Sequence, residues 1–428
     1  MTSPPQGAHP ALDVDDRAQG TIAGLQPFVF GLFFIFGGIT SLNDVIIPKL
    51  KELFTLSYFQ AMLVQSAFFA AYFFIALPGA ALVKKLGYMR GAVVGLLLMM
   101  AGCLLFIPAS QTAIYGVFLL ALFVLASGVT IVQVVANPLI SLLGPVRTAH
   151  SRLTFAQAFN ALGTTLFPYF GSILILGSLA TVTATELSGP ALDAYRAEES
   201  RVIVHAYIGL AVALAIVAAI VWLFRNRLKN EQHEPSYGLG GLDLLKRPRF
   251  GLGAMAIFLY VGAEVAIGSL IVNYLMQSNV MNIGEQAAGK LIPLYWAGAL
   301  IGRFIGSAVL RLASPGKILA TVACGAIGLI LLSTNSSGML AGYSLLAIGL
   351  MNSIMFPTIF SLACEGLGKR AADGSGVICM AIVGGAIIPP LTGAVADASG
   401  SLSFALVLPA ACYAIIGGFG IFARKPAQ

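Results

Sequence analysis

Charge is what this sequence has least of. Only 10% of its 428 residues are Asp, Glu, Lys or Arg, against about 25% in a soluble domain, while 58% are hydrophobic. One soluble core has no room for so many apolar side chains, which excludes an ordinary cytoplasmic enzyme and a disordered polypeptide. Cysteine is scarce too. Cys103, Cys324, Cys364, Cys379 and Cys412 are an odd number scattered through apolar stretches, which argues against a disulfide framework and reads as small apolar residues. The four histidines do not cluster, so no metal site is expected. Walker motifs, glycine-rich phosphate loops and nucleophile–base arrangements are also missing. Neither ATP-driven transport nor hydrolysis is supported, and no cofactor is expected.

Apolar runs are what the chain has in abundance, at a mean hydropathy of +0.91. Runs beyond about 18 residues recur, so the chain reads as an all-α integral membrane protein whose spans are helices, not barrel strands. Spans are expected at 25–47, 60–83, 90–108, 112–143, 151–178, 203–225, 250–278, 288–312, 316–334, 339–367, 372–398 and 402–423. Residues 1–24 lack a basic n-region and a cleavage site, and read as a cytoplasmic tail before a retained first helix. With both termini inside, 18 of the 24 Lys and Arg fall on the cytoplasmic side, five outside, and Arg303 within a span. That bias sets the orientation. It also accounts for the net charge of +7 without a nucleic-acid partner. The bilayer and a small molecule are the partners expected.

The halves resemble each other at an offset of roughly 220 residues, as the internal repeats of transporters do. Gly37 corresponds to Gly262, the Pro138 segment to the Pro357 segment, and Gly163 to Gly384-Gly385. The expected organisation is a six-helix bundle over 25–225, a basic linker over 226–249 and a second six-helix bundle over 250–428.

Ionisable groups inside hydrocarbon are costly and usually functional. Among the 17 acids, Asp44 and Glu264 stand within the first spans of the two halves, while Asp397 sits near an outer end, where a cap or interface role fits. In a poorly solvated cavity Asp44 can take up and release a proton, or help coordinate sodium; a solvated helix end is the bland alternative. For Glu264 the alternative is a structural partnership with Arg303. Asn43, Gln133, Asn137, Gln157, Asn160, Asn273 and Asn352 add uncharged hydrogen-bonding groups. Amides and carboxylates suit sugar hydroxyls, and Trp296 with Tyr295 can cover a sugar ring's apolar face. Each amide alone is equally well explained as interhelical glue; the cluster is worth more than its members. The loop from Gly79 through Lys84-Lys85 and Gly87 to Arg90 resembles the cytoplasmic signature of the major facilitator superfamily. It carries Lys84 where an acid is common, which weakens the charge lock expected between the bundles.

Longer segments narrow the resemblance. Phe36-Gly37-Gly38-Ile39-Thr40-Ser41-Leu42-Asn43-Asp44, Ala136-Asn137-Pro138, Arg152 through Asn160, Tyr260 through Val265 and Glu365-Gly366-Leu367-Gly368 resemble the fucose:proton symporter family, most closely its glucose/galactose branch. The resemblance implies a monomeric twelve-helix alternating-access carrier in a bacterial inner membrane, importing a sugar with H+ or Na+. It matches Asp44 to the family's essential acid. Gln133 stands where the fucose carriers have a glutamate, and an amide cannot cycle a proton, so that position points to substrate holding. N-Acetylglucosamine and fucose remain alternative sugars. Uncoupled sugar diffusion, sugar sensing and drug export remain alternative functions.

Overall fold

The computed structural model describes residues 25–54, 58–112, 114–171, 188–226, 238–284, 287–288 and 291–425. Among these residues the chain is helical throughout, with no strand. The first half comprises α1 (Gln26–Leu53), α2 (Tyr58–Leu86), α3 (Tyr88–Leu104), α4 (Phe106–Thr112), α5 (Tyr115–Leu142), α6 (Ala149–Gly171) and α7 (Pro190–Leu223). The second comprises α8 (Pro248–Met276), α9 (Ile292–Leu312), α10 (Pro315–Thr334), α11 (Gly338–Asn352), α12 (Met355–Cys364), α13 (Ala371–Ala381), α14 (Gly384–Ser399), α15 (Leu402–Ala405) and α16 (Val407–Phe422). The consecutive pairs α3/α4, α11/α12, α13/α14 and α15/α16 are each one interrupted span. The count is therefore twelve, in two six-helix bundles.

Ten of these spans are long and apolar enough to cross a membrane. Of the other two, α1 is apolar over Gln26–Leu42, and α6 carries Arg152, Gln157 and Asn160, which dilute its hydropathy. Proline marks several starts: Pro190, Pro248 and Pro315 occupy first helical positions, where the missing N–H costs nothing. Pro190, placed after Gly189 at φ 60°, begins α7 well ahead of the expected span. The stretch 190–199, which lies between the spans expected at 151–178 and 203–225, is helical. The tenth span breaks at Ser353–Ile354, four residues before Pro357, which has no N–H to offer the Ser353 carbonyl. Within the linker, a 3-10 helix covers Gly238–Lys246.

The internal repeat is visible in the packing. A Cβ on Gly163 of α6 would lie 2.1 Å from the Phe34 carbonyl oxygen of α1, and one on Gly384 of α14 would lie 1.9 Å from that of Phe258 in α8. The same crossing, closed by the matching glycine, occurs once in each bundle.

The bundles meet at the end where α7 stops and α8 begins, called here the linker end. Lys84 at the foot of α2 donates to Asp373 Oδ2 of α13 at 2.8 Å, with side chains 5% and 3% exposed. Above this pair α2 and α13 touch: a Cβ on Gly376 would lie 2.6 Å from that of Ala80. Arg370 also reaches Asp373 at 3.3 Å and grips both oxygens of Asp243 in the linker. The guanidinium holds the Asp243 carboxyl below the usual carboxylate range, so falling pH releases this grip only below that range. On the other flank, Ser151 of α6 donates to the Ser307 carbonyl at 2.6 Å and accepts from Arg311 Nε at 2.9 Å. Lys84 thus strengthens the charge lock instead of weakening it, because the acid has moved to the opposite bundle.

Gly384→Ala forces α8 and α14 apart and is expected to abolish the folded, monodisperse protein in size-exclusion chromatography. Lys84→Met strips a buried carboxylate of its closest cation and is expected to cost about 3 kcal/mol, read as a lower thermal midpoint. Adding Asp373→Leu should restore most of it.

Candidate site between the two bundles

Polar side chains from both bundles converge near the middle of the spans. On the first-bundle side, Tyr72 of α2 donates to Gln133 Oε1 of α5 at 2.9 Å, and both are buried. Thr40 of α1 stands near this tyrosine, its hydroxyl donating to the Phe36 carbonyl at 2.7 Å. Asn160 Nδ2 of α6 lies 3.4 Å from the Phe33 carbonyl of α1. It lies against Gly37, where a Cβ would come within 2.3 Å of that nitrogen. Gln157, one turn nearer the linker end, is buried.

The second bundle supplies a closed hydrogen-bond ring. Tyr260 donates to Glu264 Oε1 at 2.8 Å, one turn along α8, and also lies 3.1 Å from the Asn352 carbonyl. Asn352 Nδ2 donates to the Tyr295 hydroxyl at 2.8 Å, and that hydroxyl points to the Glu264 carbonyl at 3.4 Å. Three helices, α8, α9 and α11, are pinned by this ring, which fixes the Glu264 carboxylate without neutralising it. The guanidinium of Arg303 lies close enough to act on Glu264 electrostatically, yet its bonds go to the carbonyls of Ser353 and Gln157 at 3.2 and 3.0 Å. The Glu264–Arg303 partnership considered from sequence is therefore not a direct ion pair.

Trp296 packs edge-on to Tyr295, with ring centroids 5.1 Å apart. It also comes within 3.8 Å of a Cβ built on Gly268, one turn beyond Glu264. Trp296 is 42% exposed whereas Tyr295 is fully buried, so the indole alone offers an open face.

Not every expected site residue joins the group. Asn273 is nine residues past Glu264 on α8, which places it on the opposite face and about 13 Å along the axis. It is solvent-exposed and leaves the candidate set. Asn137 follows Gln133 by one turn towards the linker end. It is completely buried with both side-chain polar atoms unpartnered, so it lies in the sealed part of the interface. The side chains of Asn43 and Asp44 lie outside the described residues; their backbone continues α1. Tyr72 and Tyr260 were missed from sequence. The i, i+4 spacing of Tyr260 and Glu264 was a usable signal; Tyr72, 61 residues from its partner, had none. No group of residues with metal-ligand character occurs among the described residues.

The profile of the Major Facilitator Superfamily matches residues 29–390. The chain belongs to this superfamily. It is 46% identical over 394 residues to a Brucella abortus glucose/galactose transporter, covering 92% of each chain. It is 34% identical over 431 residues to the Escherichia coli L-fucose-proton symporter, covering 97% of this chain and 96% of that one. Among solved structures, the superfamily transporter FucP in the outward conformation superposes with a TM-score of 0.86 at 32% identity, over 95% of this chain and all of that one. The fold is thus that of a membrane carrier, not an enzyme.

Tyr260→Phe and Tyr295→Phe each strand a buried hydrogen-bonding group and are expected to cost about 1–3 kcal/mol. Because both tyrosines hold Glu264 and Asn352, the double variant should lose less than the sum, measured by thermal unfolding in detergent.

Proposed function

We propose that the chain is a sugar:cation symporter that imports a hexose of the glucose/galactose type by alternating access. One observation carries this reading: amide and carboxylate groups from both bundles converge mid-span beside an open indole face, above an end where hydrogen bonds join the bundles. The hydrogen bonds Lys84–Asp373, Ser151–Ser307, Gln157–Arg303 and Ser151–Arg311 join the halves on the linker side. Sugar hydroxyls both donate and accept. Gln133, Gln157 and Asn160 would meet them from the first bundle, Glu264 and Asn352 from the second, with Trp296 against the ring.

The basic-residue bias supports a cytoplasmic linker end, both termini inside, in a bacterial inner membrane. The bundle limits we assign are 25–225 and 250–428, flanking a cytoplasmic linker at 226–249 after a tail at 1–24. The sealed linker end then corresponds to an outward-facing carrier, the conformation named for the FucP structure. Higher identity to the glucose/galactose carrier than to the fucose carrier favours a sugar of the glucose/galactose type over fucose.

Asp44 is the coupling acid in this reading. Position 44 follows Thr40 by one turn of α1, and Thr40 stands near Tyr72, the donor to Gln133. The relative named an L-fucose-proton symporter favours a proton over sodium. An ionised Asp44 beside bound sugar would be costly in an occluded interface, so the sugar-loaded carrier crosses with Asp44 protonated; the proton is released inside, and the empty carrier returns without it. Asp44→Asn is expected to abolish uptake against a gradient in proteoliposomes while labelled-sugar exchange continues. Undiminished accumulation driven by an imposed proton gradient would remove Asp44 from the mechanism. Failure of every hexose to exchange would reject the carrier reading.

A further inference from the structure

Arg303 is a cation near the middle of α9, and no carboxylate forms an ion pair with it among the described residues. A guanidinium in a membrane span needs compensation, and here two backbone carbonyls provide it. The first, Ser353 at 3.2 Å from Nε, is available because the residue four positions on is Pro357, which has no N–H. Helix α9 lies hard against this break; a Cβ on Gly302 would come within 2.3 Å of Ser353 Oγ. The second carbonyl, Gln157 at 3.0 Å from Nη1, belongs to the other bundle. It sits at the floor of the candidate site, where the sealed half begins. The seal continues from there to the linker end through the Phe155–Phe304 ring contact and the Ser151–Ser307 hydrogen bond.

Opening of the linker end separates α6 from α9, which removes the Gln157 carbonyl from Arg303 but leaves Ser353 and Glu264 in place, since both belong to the second bundle. Glu264 then offers the released donors a charged acceptor. Around it stand Tyr260, Tyr295, Tyr413 and Asn352, all uncharged. Only one carboxylate oxygen is taken by Tyr260.

We propose that Arg303 is a positioning residue: it ties Gln157 to the second bundle while the linker end is shut and passes to the Glu264 carboxylate when that end opens. The inference deepens the carrier reading and rests on it for the direction of opening. It makes Glu264 a conformational partner as well as a sugar ligand.

A thiol reporter separates the two claims, because its labelling needs no sugar. Thr154 is buried in the sealed half, with its hydroxyl unpartnered and its methyl 4.0 Å from a Cβ built on Gly306. Thr154→Cys is placed in a background lacking the five native cysteines and reacted with a membrane-impermeant maleimide in inside-out vesicles. Glu264→Gln should slow labelling about tenfold, since the open state loses a charge-assisted bond. In an Arg303→Gln background the same change should alter labelling less than twofold. Should Arg303→Gln fail to insert, Arg303→Lys carries the test, and the effect of Glu264→Gln should shrink to threefold or less. An equal effect of Glu264→Gln with and without the arginine, or faster labelling, overturns the proposal. Loss of sugar exchange in the otherwise unaltered reporter, with the labelling pattern intact, would count against the carrier reading instead.

Discussion

Hydrocarbon gives a polar group no water to fall back on, so every hydrogen-bonding side chain within a span must find its partner inside the protein or along a wet path. That constraint sorts this molecule. Leucine, valine, isoleucine and phenylalanine coat the outside of the helices, while Tyr72, Gln133, Asn160, Tyr260, Glu264, Tyr295 and Asn352 turn to where the bundles face one another. The hydrogen-bond ring around Glu264 is its sharpest consequence. Tyrosine is the residue of choice there, with a ring large enough to fill an apolar gap and a hydroxyl at the far end to meet a carboxylate.

The two halves share a plan and differ in chemistry. Gly163 and Gly384 close the same helix crossing by the same means, admitting a carbonyl where any side chain would collide. Around these crossings the halves diverge. Among the described side chains at the site, the first bundle presents amides, and the second a carboxylate locked by tyrosines. At the linker end one flank is held by a buried ion pair and the other by serine and arginine hydrogen bonds. A repeat supplies the geometry of two rocking bodies, and the divergence makes their interface selective.

Much of this was legible in the sequence, for identifiable reasons. Hydropathy located the spans because burial in lipid demands length and apolarity, and it failed to extend α7 because acidic residues before a span read as a loop. The coupling and binding candidates emerged because acids and amides inside apolar runs are costly, and a cluster of them outweighs the bland explanation each has alone. What stayed hidden was pairing. Lys84 looked like a weakened lock until Asp373, 289 residues away, appeared beside it. Asn273 looked as suitable as Gln133 until helix phase turned it outward. Spacing along a chain reports on neighbours one turn apart, and says nothing about which distant helix stands opposite.

The sealed end also carries a cost. Asn137, Thr154 and Thr358 are buried there with side-chain polar atoms lacking partners, on three of the helices that line the joint between the bundles. Each such group raises the energy of the shut arrangement by about 1–3 kcal/mol, a penalty that hydration relieves once the bundles part. Against it stand the Lys84–Asp373 pair and the close packing of Ala80 on Gly376. A buried pair of this kind contributes little net stability relative to apolar packing, because desolvation consumes most of its Coulomb attraction. Its value lies in demanding that both charges stay together or that both reach water. A joint built from costs and gains of similar size lies near balance, and in that regime the differential binding of one small ligand is enough to decide which end is open.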